Sequence, residues 1–211
     1  MSSISIIGSG NMARAIGARA LETGSTVEIL ARNVGKAAAT ARALGNGATT
    51  GTWGARPTGD IVILAVLHAA AVSVVREFGQ SLADKIVVDI TNPFNADATG
   101  LAIPYDTSSA QLVADVAPAG AHVLKAFNTL FAHIVAAGDP VDVFMAGDDT
   151  RAKESLAAFI TSLGLRPRDA GDLIMAHWLE GAAVLEMGVA RAGAGFDFSL
   201  GVNSRVGVGA Y

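Results

Sequence analysis

The chain has 211 residues, 51% of them hydrophobic and only 16% charged, with 24 glycines and a formal net charge of −4. That composition excludes a disordered chain and supplies a sizeable apolar core. Nineteen acidic residues against fifteen basic ones leave no cationic excess to hold a nucleic acid, and the lack of cysteine removes disulfides, thiolate metal sites and a cysteine nucleophile.

Short β-branched runs alternate with Ala-rich helical stretches, the pattern of a parallel α/β sheet. Ile4 to Ile7 reads as a first strand, followed by a helix from Asn11 to Thr23 that closes at Gly24. Thr26 to Leu30 is a second strand, and Val34 to Leu44 a second helix. Asp60 to Val66 is nearly all apolar after its first residue, as a central strand buried on both faces should be. Ala69 to Leu82 is helical, Ile86 to Ile90 a strand, and Phe94 to Thr107 a loop with the capacity to line a site. A short helix from Ser108 to Val116 precedes strands at His122 to Phe127, Val141 to Ala146 and Arg166 to Asp169. Arg151 to Leu163 is a helix capped by Asp149 or Thr150, and Leu173 to Ala192 is the last helix. The Gly-rich tail from Gly193 has no assignable pattern.

The apolar run from Ile61 to Val75 is broken by His68 and Ser73 and falls short of the ~18–20 residues of a bilayer span. The N-terminus lacks the basic start of a secretory signal. The expectation is a soluble, cytoplasmic protein with a small-molecule substrate and neither membrane nor nucleic-acid partners.

Gly8-Ser9-Gly10-Asn11-Met12-Ala13 matches G-x-G-x-x-A between a strand and a helix. Gly8 permits the tight turn, Gly10 lets backbone approach a pyrophosphate, and Ala13 lets helix and strand pack closely. The helix start then offers free N–H groups to an anion. Strand, helix and second strand fall at the spacing of a βαβ unit, so the motif reads as a dinucleotide site and the fold as a Rossmann-like, doubly wound, mostly parallel sheet with a small C-terminal helical part.

The end of the second strand selects the cofactor. Where an NAD-binding chain places an acid for the ribose hydroxyls, this one has Ala31, followed by Arg32 and Asn33, with Lys36 one helical turn on. Two cations and no carboxylate favour the 2′-phosphate of NADP(H). Ala65-Val66-Leu67-His68 and Asn92-Pro93 end the next two strands and should border the nicotinamide half. No catalytic acid–base pair and no metal site is expected: His68, His122, His133 and His177 share no ligand spacing, and Asp148-Asp149 reads as a capping turn. Glu28 reads as structural.

The chain resembles the NADPH-dependent oxidoreductases of the deazaflavin coenzyme F420. The segments that carry the likeness run from the glycine turn through Arg32 and Lys36, Val88-Asp89-Ile90-Thr91-Asn92-Pro93, Lys125-Ala126-Phe127-Asn128-Thr129, Ala146-Gly147-Asp148-Asp149 and Asp169-Ala170-Gly171 to Leu179-Glu180. The resemblance implies a nucleotide-binding domain over residues 1–171, with residues 172–211 as a helix and tail packed on it, in a homodimer. It implies hydride exchange between NADP(H) and coenzyme F420, and places Asn128, Thr129 and Leu130 beside the deazaflavin. Two alternatives stand beside it. One is an NADPH-dependent reductase of an imine, carbonyl or flavin on the same scaffold; the other is an NADP(H)-binding protein without turnover.

Overall fold

The computed structural model describes residues 2–203 apart from residue 46. Its frame is one sheet of eight strands in the order β3-β2-β1-β4-β5-β6-β7-β8. These are β1 (Ser3–Ile7), β2 (Thr26–Leu30), β3 (Ala48–Thr50), β4 (Ile61–Leu64), β5 (Ile86–Asp89), β6 (His122–Ala126), β7 (Asp142–Gly147) and β8 (Arg166–Asp169). Every pairing is parallel except that between β6 and β7. Strand order therefore reverses between β1 and β4, and their carboxyl ends open a crevice there.

Alternate residues of β1, β2, β4, β5 and β6 feed two apolar layers. Ile4, Ile6, Ile29 and Ile63 pack on one side with Ile16 of α1 (Asn11–Glu22), Ala37 of α2 (Val34–Leu44) and Phe159 of α6 (Thr150–Ser162). Ile7, Leu30, Val62 and Leu64 pack on the other with Val74 and Phe78 of α3 (His68–Phe78) and Val113 of α4 (Ser109–Ala114). In α1 the buried Ala13, Ile16, Gly17 and Ala20 form one stripe at i, i+3, i+4 and i+7, which is why this Ala-rich segment is a helix with one face on the sheet. The side chain of Asp149 accepts from the amide of Ala152 and caps α6, as expected for a capping turn.

Several elements differ from the sequence expectation. The edge strand β3 escaped notice because its three residues are largely exposed and lack an apolar alternation. The short helix α5 (Ala132–Ala137) was missed as well; it buries only Val135. The strand expected over Asp60–Val66 shrinks to Ile61–Leu64, because Ala65 turns out beneath Gly8 and begins the crevice. Past Phe78 the helix tightens into a 3-10 turn over Gly79–Leu82.

The last helix divides into a 3-10 turn (Leu173–Met175), α7 (Ala176–Val189) and a π-helical end (Ala190–Ala194). By length and composition the segment Leu173–Ala194, of mean hydropathy 1.3, is apolar enough to cross a membrane, which the sequence reading overlooked. Here Leu179, Glu180, Ala183 and Glu186 form its buried face. Within the tail, the amide of Val202 donates to Asp142; residues 204–211 lie outside the described residues.

Candidate functional site

The glycine turn sits at the reversal point and shows why its two glycines differ. Gly8 has φ +138°, and a Cβ there would lie 2.0 Å from the carbonyl oxygen of Ala65. Only glycine lets β1 and β4 meet this closely. At Gly10 a Cβ would touch nothing within 4 Å, so the backbone of the turn faces open space. Gly10 also precedes α1 without a side-chain cap, leaving the first-turn amides of the helix without side-chain acceptors from the cap. A pyrophosphate fits this cradle: the amides supply donors, the dipole supplies positive potential and the missing side chain supplies room.

Two hollows meet at this turn. The larger, of about 650 Å³, is lined by Gly8, Ser9, Gly10, Asn11, Met12, Ala65, Val66, Leu67, His68, Thr91 and Asn92, with Ile90, Phe94 and Ala70. The smaller, of about 220 Å³, is lined by Ala31, Arg32, Asn33, Lys36 and Trp53 and shares Gly8, Ser9, Val66 and Ala70 with the first. A single cleft therefore runs across the carboxyl edge of the sheet, ring-sized and largely apolar at one end and cationic at the other.

At the cationic end Arg32 and Lys36 come together as expected. Asn33 is committed locally: its side chain accepts from the amide of Lys36 and caps α2. The end of β2 carries no acid, as read from the sequence, but a carboxylate reaches Arg32 from another element. Glu77, on α3 and 45 residues away in sequence, pairs with Arg32 and accepts from the indole N–H of Trp53 at 2.8 Å. The Trp53 and Arg32 hydrogen bonds hold its carboxyl below the ordinary range. The Arg32 guanidinium lies 5.4 Å from the centre of the Trp53 ring, which also packs edge-on against Phe78. Trp53 and Glu77 were invisible to sequence reasoning, since nothing local distinguishes a surface Trp in a loop or an acid near a helix end.

At the other end the residues after β4 and β5 line the cleft, but Ala13 and Pro93 do not. Ala13 is wholly buried against the sheet, the packing role its size suggests, and Pro93 is buried as well. Asn128, Thr129 and Leu130 are also buried, and none of them lines the cleft. Phe127 takes a left-handed φ of +59° where β6 ends, and this turn brings Asn128 under Asn92. The two asparagines hydrogen-bond reciprocally: Asn128 Nδ2 donates to Asn92 Oδ1 at 2.9 Å, and Asn92 Nδ2 donates to the Asn128 carbonyl at 2.7 Å. Asn128 Nδ2 also donates to the Leu179 carbonyl of α7. Asn128 thus braces the cleft from below.

Beneath this floor lies a charged cluster that sequence reasoning did not assemble. The ammonium of Lys125, fully buried, donates to Asp89 Oδ2 at 2.9 Å, to Glu180 Oε1 at 2.7 Å and to the Thr91 carbonyl. It bolts β6, β5 and α7 together. Burial pushes the Glu180 carboxyl above its ordinary range, with Lys125 opposing that shift. The second oxygen of Glu180 accepts from the amide of Ser109 at the start of α4. Ser109 Oγ lies 2.7 Å from Thr91 Oγ1 and 2.9 Å from His68 Nδ1. Burial lowers the His68 pKa below the ordinary histidine value. Among the described residues, no group of three His, Cys, Asp or Glu stands close enough to hold a metal ion.

The model of the family described as NADP oxidoreductase, coenzyme F420-dependent, matches residues 3–93. That stretch holds the glycine turn, Arg32, Lys36 and the ends of β4 and β5. The chain is also similar to the F420-dependent NADP reductase of Methanocaldococcus jannaschii, at 30% identity over 139 residues, covering 62% of each chain. It is 29% identical over 181 residues to metalloreductase STEAP3 of Rattus norvegicus, covering 84% of this chain and 35% of that one. The chain therefore spans less than two thirds of the length of both relatives. The fold of a candidate F420-dependent NADP-reductase from Arthrobacter sp. FB24 superposes with a TM-score of 0.83 at 22% identity, covering 97% of this chain and all of that one.

Proposed function

We propose that the protein is an NADP(H)-dependent oxidoreductase, and that coenzyme F420 is its hydride partner. The observation that carries this reading is the continuous cleft through the glycine turn, cationic at one end and apolar and ring-sized at the other. Arg32 and Lys36 would hold the 2′-phosphate, the former already set against Trp53, whose ring offers the adenine a stacking face. The α1 amides would hold the pyrophosphate. Ala65, Val66, Leu67 and Ile90 would present apolar surface to the nicotinamide.

NADPH supplies a hydride, and transfer to a flat acceptor needs little more than two rings held about 3–3.5 Å apart in a water-poor cleft. The apolar walls and the Asn92–Asn128 brace would do that here. The likeness to the M. jannaschii reductase supports F420 as the partner, while the likeness to a metalloreductase supports a second reading in which a flavin or metal complex accepts the hydride's electrons instead.

The test is to mix protein, NADPH and oxidised F420 and follow bleaching of the deazaflavin's visible band, with FMN, an imine and a ferric chelate as parallel acceptors. Fast bleaching with NADPH and slow bleaching with NADH is the expected result. NADPH oxidation by one of the other acceptors alone would replace F420 with that acceptor. Tight NADPH binding without turnover on any acceptor would overturn the enzyme reading.

A further inference from the structure

His68 is held by a hydrogen-bond chain whose proton order can be worked out. The chain runs Thr91 Oγ1, Ser109 Oγ, His68 Nδ1, with separations of 2.7 and 2.9 Å, and both hydroxyl residues are buried. Each hydroxyl has one proton to give. If Thr91 donates to Ser109 and Ser109 donates to Nδ1, both protons find acceptors and the imidazole carries its own proton on Nε2. If His68 donates from Nδ1 to Ser109 and Ser109 to Thr91, the Thr91 proton has no acceptor among the described residues. Buried donors are seldom left so. The backbone of Ser109 is fixed beside them, because its amide is tied to Glu180, which Lys125 in turn holds.

We propose that Thr91 and Ser109 fix His68 as the Nε2–H tautomer, so that the cleft wall presents a hydrogen-bond donor to a carbonyl oxygen on the bound ring. This rests on the reading of the cleft as the site of the nicotinamide and its hydride partner. His68 lines that cleft, and with Nδ1 turned to Ser109 its opposite ring edge is the one left for a ligand. The carbonyl has two sources: the nicotinamide carboxamide, or a ring carbonyl of the hydride acceptor. Neutrality of the imidazole at pH 7 agrees with its lowered pKa. His68 is thus a donor of fixed direction, with Ser109 and Thr91 as positioning residues one and two bonds behind it.

The tautomer is read first, on ligand-free protein labelled with ¹⁵N-histidine, the His68 resonances being assigned by their loss in His68→Phe. An unprotonated Nδ1 with a protonated Nε2 is expected, and a protonated Nδ1 would overturn the proposal. Ser109→Ala should abolish the single-tautomer signal while circular dichroism stays native; an unchanged tautomer would show that Ser109 does not set it. The ligand arm then compares His68→Phe, which keeps a ring but no donor, with His68→Gln, which restores an N–H. A roughly tenfold weaker Kd for NADP+ in the first variant, recovered in the second, assigns the donor to the carboxamide. An unchanged Kd with a tenfold higher KM for the acceptor assigns it to the acceptor ring. No loss in either measurement overturns the donor role. Because the tautomer needs no cofactor, its failure is distinguishable from a failure of wild-type protein to bind NADP(H).

Discussion

The two halves of the sheet make their polar chemistry in opposite ways. From β1 to β4 the site is built largely of backbone: a turn at Gly8, open space at Gly10, helix amides, and cations displayed at the surface on Arg32 and Lys36. From β5 to β7 it is built of side chains that are out of water. Lys125, Asp89 and Glu180 close on one another, and Asn128 braces Asn92. A backbone site tolerates change around it provided the turn keeps its shape. A buried side-chain site depends on every partner. Substitutions should therefore cost binding in the first half and folding in the second.

The harshest test lies in the second half. Lys125→Met leaves two buried carboxylates without their cation, and breaking a buried ion cluster in this way costs about 3–5 kcal/mol. Urea denaturation should show that loss. The double variant Lys125→Met with Glu180→Leu should recover only part of it, because Asp89 still stands buried without its cation. If Lys125→Met alone were nearly neutral, the contrast between the halves would collapse.

The glycine turn offers a comparison inside the first half. Gly8→Ala would put a methyl group onto the Ala65 carbonyl in a backbone conformation that L residues rarely take, destabilising the protein by about 2–4 kcal/mol. Gly10→Val adds a side chain into open space, so thermal stability should change little. Its NADPH affinity should fall by roughly a hundredfold, the equivalent of about 2.7 kcal/mol. Paired melting and titration experiments read both. Unchanged affinity in Gly10→Val would remove the pyrophosphate from the turn.

These contrasts also explain what could be read from the sequence. The βαβ unit, the cleft and the cations of the first half were legible because backbone geometry imposes fixed spacings: glycines two residues apart, and a strand end about twenty residues later. Glu28 was recognised as structural because it lies inside a strand, and it does bind Ser5 and Thr58. Lys125 and Glu180 stand out in the sequence only within the segments that carry the family resemblance. Their mutual contact spans 55 residues of chain, and no local pattern encodes it. The same holds for Glu77, which reaches Arg32 from a neighbouring helix.

Glu77 sharpens the cofactor assignment. Arg32→Glu should weaken NADPH by about 10- to 100-fold, the worth of one charge-assisted hydrogen bond, and NADH far less. Equal losses for both would refute contact with the 2′-phosphate. Glu77→Gln frees Arg32 from its carboxylate partner, so it should tighten NADPH several-fold while leaving NADH unchanged. Isothermal titration of the two variants against both nucleotides separates a competing acid from a mere support for Trp53.

A last effect, spread over several pH units, returns to the second half, to a carboxyl with no cationic partner among the described residues. Glu186 is buried on α7; burial raises its pKa to about 8, against the opposing hydrogen bond from the Leu200 amide. Between the ordinary carboxyl range and pH 8 the folded protein therefore holds a proton here that the unfolded chain has released. Linkage then makes stability fall as pH rises through that window, by at most about 1.4 kcal/mol per pH unit for one group. Below the ordinary carboxyl range both states are protonated and the effect disappears. Glu186→Gln keeps the shape and cannot ionise, so the difference in melting temperature between variant and wild type should widen steadily from pH 5 to pH 8. A constant difference over that range would mean that Glu186 reaches solvent or a cation when it ionises, and that this part of α7 opens more readily than its packing shows.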